Sequence, residues 1–271
     1  MSPQRTPHDP ARPVTLASLR ADLERLGVRR GATVLVHTRL SAVGYVVGGG
    51  PSVFLHALLE SLGPEGTLLM PAHNRDLSEP AHWSDPPVDP ALHAAIRAGM
   101  PPWDPERTAS RGMGVVAELF RRWPGVRRSG HPQTSFAALG PAADDLLAGH
   151  GPGCALGERS PLGALYRADG EVLLVGVDHG RNTSLHLAEY RARWPGRREH
   201  EEGAPLLVDG APRWVRFPEL AFDDGDFARL GADHEAAGGP VAVGPVGHAE
   251  SRLLPQRPLV DFAVRWLEAH R

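Results

Sequence analysis

Lysine is missing from the 271 residues, so all 29 of the chain's Lys and Arg positions are arginine. Together with abundant alanine, glycine and proline, this points to a G+C-rich genome rather than to a function. Cysteine occurs once, as Cys154. No internal disulfide can form, and a reducing compartment is expected. No apolar run approaches the roughly 20 residues that a bilayer span needs. The first thirteen residues, Met1 to Pro13, are polar and proline-rich, unlike a signal peptide. These features predict a soluble, cytoplasmic protein with residues 1–13 as a flexible tail. Charge of one sign is also scarce: the net charge is −3 and the pI about 6.5, which disfavours nucleic acid or an anionic membrane as partner.

Several motifs are absent as well. There is no His-Glu-x-x-His, no cysteine pair and no Asp-x-Asp loop to hold a metal. His37, His73, His179 and His186 could gather as ligands in principle, but without such spacing no metal is expected. No Gly-x-Ser-x-Gly elbow supplies a serine nucleophile, and neither a P-loop nor a dinucleotide fingerprint occurs. Cys154 follows Gly151-Pro152-Gly153 with no strand leading into it, a poor setting for a nucleophilic thiol.

What is present is an alternation of strands and helices in a chain long enough to bury a large core. Thr15 to Leu26 has leucines at helical spacing, a capping start (Thr15 followed by Ser18) and Gly27 as its stop. Residues 31–36 form a buried apolar strand, Pro51 to Leu62 a helix with proline at its first turn, and residues 66–70 a second strand. Strand, helix and strand in this order predict a parallel βαβ unit. Residues 72–105 are irregular, rich in proline and polar groups, and carry Trp83 and Trp103. A long irregular stretch inside a compact domain is usually functional, so residues 72–106 are read as a binding loop. Further on come a helix over 115–123, a strand over 135–139, a helix over 141–147, a strand over 171–175 and a helix from Ser184 to Arg193. The Asp209-Gly210 dipeptide predicts a hairpin over 205–217. A helix over 224–237, a strand pair over 242–247 and an amphipathic helix over 258–270 close the chain. The fold class expected is α/β: one domain over residues 14–271, with a mostly parallel mixed central sheet flanked by helices and a C-terminal β-hairpin and helix subregion.

The densest polar chemistry lies between the 171–175 strand and the helix after it: Asp178, His179, Arg181, Asn182, Thr183, Ser184, His186 and Glu189. Open α/β sheets place ligands at such strand-to-helix turns. Asn182, Thr183 or Ser184 can cap the helix. His186 falls in its first turn, with Glu189 at i+3 on the same face. A base at the mouth of the sheet is one reading of His186, and a satisfied structural histidine is the other. Three further stretches are rich in anion-binding groups. They are His37-Thr38-Arg39-Leu40-Ser41 with the turn from Val47 through Gly48 to Gly50, then Thr108 to Gly114 around Arg111, Gly112 and Met113, and lastly Arg127 to Ser135. Each alone is a helix cap or a solvated face as readily as a site. Together they suggest one long polyanionic cofactor.

In this order, the motifs His37-x-x-Leu40-Ser41-x-x-Gly44, Gly63-Pro-Glu-Gly66-Thr67-Leu68-x-Met70-Pro71, Thr108-x-x-Arg111-Gly-Met-Gly114, His131-Pro-x-x-Ser135-Phe136, Gly157-x-x-Ser160-Pro161-Leu162 and Asn182-Thr-Ser-x-His186-x-Ala-Glu189 resemble the aminoglycoside 3-N-acetyltransferases. The likeness runs from about Thr15 to the end of the chain. Thr38 and Arg39 depart from the serines more usual there. The resemblance implies a single α/β domain distinct from the common GNAT acetyltransferases. It also implies acetyl transfer from acetyl-coenzyme A to the 3-amino group of a 2-deoxystreptamine ring, which inactivates the antibiotic. By the same resemblance His186 is the general base, His37 lies at the site, and Glu219 orients the base, with Asp224 and Asp226 as competing candidates. Thr38, Arg39, Leu40, Ser41, Val47, Gly48, Arg111 to Gly114 and Ser135 would hold the coenzyme. Asp76, Trp83, Asp85, Asp104, Glu158, Asp178, Asn182 and Glu189 would meet the polycationic drug. An amine that is mostly ammonium near neutral pH must lose a proton before it attacks a thioester, and histidine suits that task. With no plausible nucleophile, direct transfer in a ternary complex is expected, by a monomer or a homodimer. An N-acetyltransferase for another amine and a non-catalytic binder of the same fold are the alternatives.

Overall fold

The computed structural model describes residues 12–271; the first eleven residues of the expected tail lie outside the described part. In chain order the elements are α1 (Leu16–Leu26), β1 (Thr33–Thr38), α2 (Leu40–Val43), α3 (Pro51–Leu62), β2 (Thr67–Pro71), α4 (His93–Gly99), α5 (Gly114–Arg121), β3 (Arg127–Arg128), β4 (Phe136–Leu139), α6 (Ala143–Leu147) and α7 (Pro161–Arg167). There follow β5 (Glu171–Val175), α8 (Leu185–Arg191), β6 (Glu199–Val208), β7 (Ala211–Leu220), α9 (Phe227–Ala236), β8 (Ala242–Val246), β9 (Ala249–Pro255) and α10 (Gln256–His270).

Seven strands form the central sheet in the order β3-β4-β2-β1-β5-β9-β8. The parallel character is confined to its middle, where β1 lies parallel to both β2 and β5. The pairings β2–β4, β3–β4, β5–β9 and β8–β9 are antiparallel. The sheet is therefore mixed, with less parallel pairing than the run of apolar strands had suggested. Period-two alternation assigns its faces. Val34, Val36, Leu68, Met70, Leu173 and Val175 pack on one side with α1, α3 and α5. Leu35, Leu69, Val172 and Leu174 pack on the other with α6, α7, α8 and α10. Both faces are covered, which is why these strands read as continuous apolar runs.

Local chemistry sets the boundaries. The Thr15 hydroxyl accepts the Ser18 amide at 3.1 Å while Ser18 Oγ accepts the Thr15 amide at 2.9 Å, a reciprocal cap on α1. Asp209 and Gly210 both take positive φ (50° and 74°), as a two-residue type I′ turn requires. The hairpin they close is longer than expected, with ten residues per strand. It forms a separate two-stranded sheet that stands off the central one. The irregular stretch contains α4 and two short 3₁₀ turns, Pro80–His82 and Pro90–Leu92. It leans on the hairpin through Trp103 N–H donating to Pro205 O at 2.8 Å. Two strands escaped the sequence reading. β3 is only two residues long, and β9 extends past the expected strand pair into a stretch with Arg252 and Pro255.

β1 is the point at which the connections diverge: β2 flanks it on one side and β5 on the other. Open α/β sheets have their crevice at the C-terminal edge of such a strand. His37 and Thr38 end β1, His73 follows β2 and Gly176 follows β5. Gly176 adopts φ +65°, and a Cβ there would lie 2.5 Å from the Ala42 Cβ. Only glycine lets the chain leave β5 this close to α2.

Candidate active site

A cleft of about 1640 Å³ opens over that edge of the sheet. Its floor is Val36 to Ser41, Met70, Pro71 and His73; Arg111 to Ala117, Val177 and Gly180 to Thr183 line it as well. Residues between Asp76 and Val88 of the irregular stretch, with Asp76 ion-paired to Arg111, and Arg198, His200, Glu202 and Glu219 of the hairpin region complete the lining. It exceeds the roughly 300–1,000 Å³ of an ordinary single-ligand pocket, which leaves room for two molecules.

Three histidines line the floor: His37, His73 and His186. Burial and the neighbouring His186 lower His37 to about 4. Burial, then His186 and His37, push His73 well below its usual range. Both are neutral near pH 7. Nε2 of each is buried with no hydrogen-bond partner, as is Thr38 Oγ1. Buried polar atoms are normally satisfied, and all three of these belong to residues that line the cleft.

His186 differs from its neighbours in having an acid. Its Nδ1 lies 2.6 Å from Glu189 Oε2. Glu189 is fully buried, and its other oxygen accepts the Asp223 amide at 3.0 Å and Arg271 Nη1 at 2.7 Å. Arg271 is held in turn by Asp226, at 2.6 and 2.9 Å. The ring sits between Phe222 and Phe227, with centroids 5.0 and 4.8 Å away. With a carboxylate on Nδ1, that nitrogen carries the proton and Nε2 keeps the lone pair. The aromatic pair restricts the ring to this plane.

The acid that orients His186 is thus Glu189, not Glu219, Asp224 or Asp226. Its i+3 position on α8 holds it there, whereas its expected contact with a drug is precluded by full burial. Glu219 is committed elsewhere. It accepts the Ala155 amide at 3.0 Å and the Tyr190 hydroxyl, and His131 Nε2 lies 3.6 Å away. Burial raises its pKa, but the nearby His131 ring and the hydrogen bonds from Tyr190 and the Leu220 amide outweigh that and leave it lowered. Asp226 supports the pair at one remove, through Arg271.

Of the positions expected to hold a cofactor, Thr38, Arg39, Leu40, Ser41 and Arg111 to Gly114 line the cleft. Ser135, Val47 and Gly48 do not. Ser135 is fully buried, donating to Ala72 O at 2.9 Å and accepting Arg128 Nε at 2.9 Å, so its hydroxyl fixes a loop. Val47 N–H closes a bridge to Val14 O, and Gly48 begins the turn into α3. Among positions expected to meet a substrate, Asp76, Trp83, Asp85 and Asn182 line the cleft. Glu158 instead pairs with Arg191. Asp104 accepts the Glu106 and Arg107 amides in its own turn. Asp178 caps Gly180 and borders a smaller neighbouring pocket. Sequence reasoning missed Gln133, Thr134, Arg198, His200 and Glu202, which reach the cleft only through long-range pairing. It also missed Phe222 and Phe227, which carry no motif.

Buried neutral histidines have a measurable consequence. His37 stays uncharged down to about 4, and His150, depressed by burial and by His131, down to about 3. Between those values and 6.5 the unfolded chain binds protons that the folded chain does not, so stability rises with pH across this window and is lost as pH falls. At 1.36 kcal/mol per pKa unit, His37 alone accounts for about 3 kcal/mol. The urea midpoint should fall steadily from pH 6.5 to pH 4; a flat midpoint would show that these rings are not held neutral.

Comparison with known proteins fixes the class. The family model described as aminoglycoside 3-N-acetyltransferase matches residues 35–268. The SPbeta prophage-derived aminoglycoside N(3′)-acetyltransferase-like protein YokD of Bacillus subtilis is 42% identical over 255 residues, covering 94% of this chain and 92% of the relative. Aminoglycoside N(3)-acetyltransferase VII of Streptomyces paromomycinus is 41% identical over 270 residues, with the same coverage of 94% and 92%. Among solved structures, AAC-VIa bound to sisomicin superposes with a TM-score of 0.85 at 36% identity, covering 96% of this chain and 99% of that one. AAC-IIIb in binary complex with CoASH does so with a TM-score of 0.85 at 33% identity, covering 95% and 97%. The chain belongs to the aminoglycoside 3-N-acetyltransferase family, and it is an acyltransferase.

Proposed function

We propose that the protein transfers the acetyl group of acetyl-coenzyme A to the 3-amino group of a 2-deoxystreptamine aminoglycoside, directly and with His186 as general base. The observation that carries this reading is the His186–Glu189 pair set in the cleft of a family member. Nε2 of His186 takes the proton that the substrate ammonium must lose, and Glu189 favours the imidazolium that results. The coenzyme supplies the thioester, and the chain's own residues position it. Arg39, Arg111 and Arg181 offer guanidinium forks for its phosphates. The unpartnered Thr38 hydroxyl and His37 Nε2 supply the polar contacts beside them. The relative in complex with CoASH supports this half of the site.

Asp76, Asp85 and Glu219 give the cleft lining the acidic character that a polycationic sugar needs, and the sisomicin-bound relative supports that half. The same geometry supports direct transfer. Cys154 is buried outside the cleft lining, and among the described residues no cleft histidine hydrogen-bonds a serine or cysteine. Without that pairing no side chain is activated for a covalent acyl-enzyme.

Incubation with acetyl-coenzyme A and a panel of aminoglycosides, following free thiol and locating the new amide, tests the proposal. Thiol release with acetylation at the 3-amino group is expected, along with raised drug tolerance in cells that express the protein. Silence across the panel with turnover of other amines would assign the cleft to a different substrate.

A further inference from the structure

On the hairpin side of the cleft, His200 and Glu202 stand two residues apart on β6 and so project from the same face. His82, at the end of the 3₁₀ turn Pro80–His82, reaches them from the irregular stretch. His82 Nδ1 lies 2.9 Å from Glu202 Oε1, and His200 Nε2 lies 3.7 Å from the same oxygen. Among the described residues this is the one group of three His, Cys, Asp or Glu side chains whose ligand atoms all lie within 4.8 Å of one another. We propose that His82, His200 and Glu202 form a binding site for one divalent transition-metal ion of the Zn²⁺ class, on the wall of the cleft.

Three features support the assignment. First, the spacing fits. Ligand atoms in a tetrahedral zinc site with bonds near 2.05 Å are about 3.3 Å apart, and 2.9 and 3.7 Å bracket that value. Second, the carboxylate is already oriented. Glu202 Oε2 accepts the Glu79 amide at 3.3 Å, Gln133 Nε2 at 3.1 Å and the Gly203 amide at 3.4 Å. Oε1 is left toward the two rings, the outer support that metal carboxylates usually have. Third, the donor set selects the ion. Two imidazoles and one carboxylate suit Zn²⁺ and its neighbours, whereas Mg²⁺ and Ca²⁺ prefer all-oxygen shells.

His82, His200 and Glu202 all border the cleft. An ion held by three protein ligands would turn its open position toward that space. None of the three belongs to the His186–Glu189 pair, so the assignment does not depend on the transfer chemistry.

The test uses tag-free full-length protein stripped of metal. Calorimetry with Zn²⁺ should give one equivalent bound, and Co²⁺ should give the visible absorption band of a four-coordinate site. His82 is partly exposed, so the H82A variant should fold; H82A and H200A should each lose the band and the tight equivalent. Q133A keeps all three ligands but removes a support, and should weaken Zn²⁺ by about 10–100-fold. Mg²⁺ should not displace the bound ion. If no equivalent binds, or if Zn²⁺ binds the H82A/H200A double variant as tightly as wild type, the three residues are no metal site. They are then only an imidazole–carboxylate contact in the cleft wall.

Discussion

Replacing His186 by alanine should lower kcat by about 10²–10⁴-fold, the usual range for loss of a general base, and leave coenzyme binding close to wild type. The ring lies between Phe222 and Phe227 and pairs with Glu189 rather than with an arginine. Its removal therefore takes a proton acceptor from the cleft without removing an arginine that could hold a phosphate. Steady-state turnover together with calorimetric titration of coenzyme A separates the two effects. Normal turnover in this variant would end the assignment of His186 as base.

The second large effect should come from Glu189→Gln. Glutamine keeps the shape and can still accept the Asp223 amide. It cannot compensate an imidazolium, and it weakens the hold on Arg271, which retains Asp226. In serine proteases, amidation of the carboxylate behind a catalytic histidine costs about 10⁴ in kcat; a fall of about 10² or more is expected here. If His186 and Glu189 act as one unit, the double variant H186A/E189Q should be no slower than H186A alone. Fully multiplicative losses would show that the two residues act independently. Glu219→Gln is the informative contrast. It disturbs the contacts that set Tyr190 and Ala155, so thermal stability should suffer more than turnover.

Much of this molecule was legible in its sequence because local rules decide it. The reciprocal Thr15–Ser18 cap, the Asp209-Gly210 turn and the apolar runs of the central strands depend on neighbours a few residues away. His186 in the first turn of α8 with Glu189 at i+3 is legible for the same reason. The choice of acid was not. Glu219 stood out by spacing along the chain, but the pairing of β6 with β7 places its carboxylate against Tyr190, Ala155 and His131. Ser135 and Glu158 are similar: the hydroxyl or carboxylate of a suggestive motif is bound to backbone or arginine. The antiparallel flanks of the sheet were hidden because β3 is two residues long and β9 carries polar residues among its apolar ones. His82 lies 120 residues before Glu202, and no local pattern joins them.

The two sides of the cleft are built on different supports. The side carrying His37, His73 and His186 belongs to the central sheet and its helices, cross-linked by hydrogen bonds and packed on both faces. The other stands on a separate two-stranded ribbon that is joined to the rest by hydrogen bonds such as Trp103 with Pro205, Gln133 with Gly203 and Ala155 with Glu219. A substitution on the ribbon can widen, narrow or recharge the gap while the reactive end keeps its register. Drift in the range of molecules accepted can thus proceed without relearning the chemistry, as the jaw of a vice can be refitted while its screw stays in place.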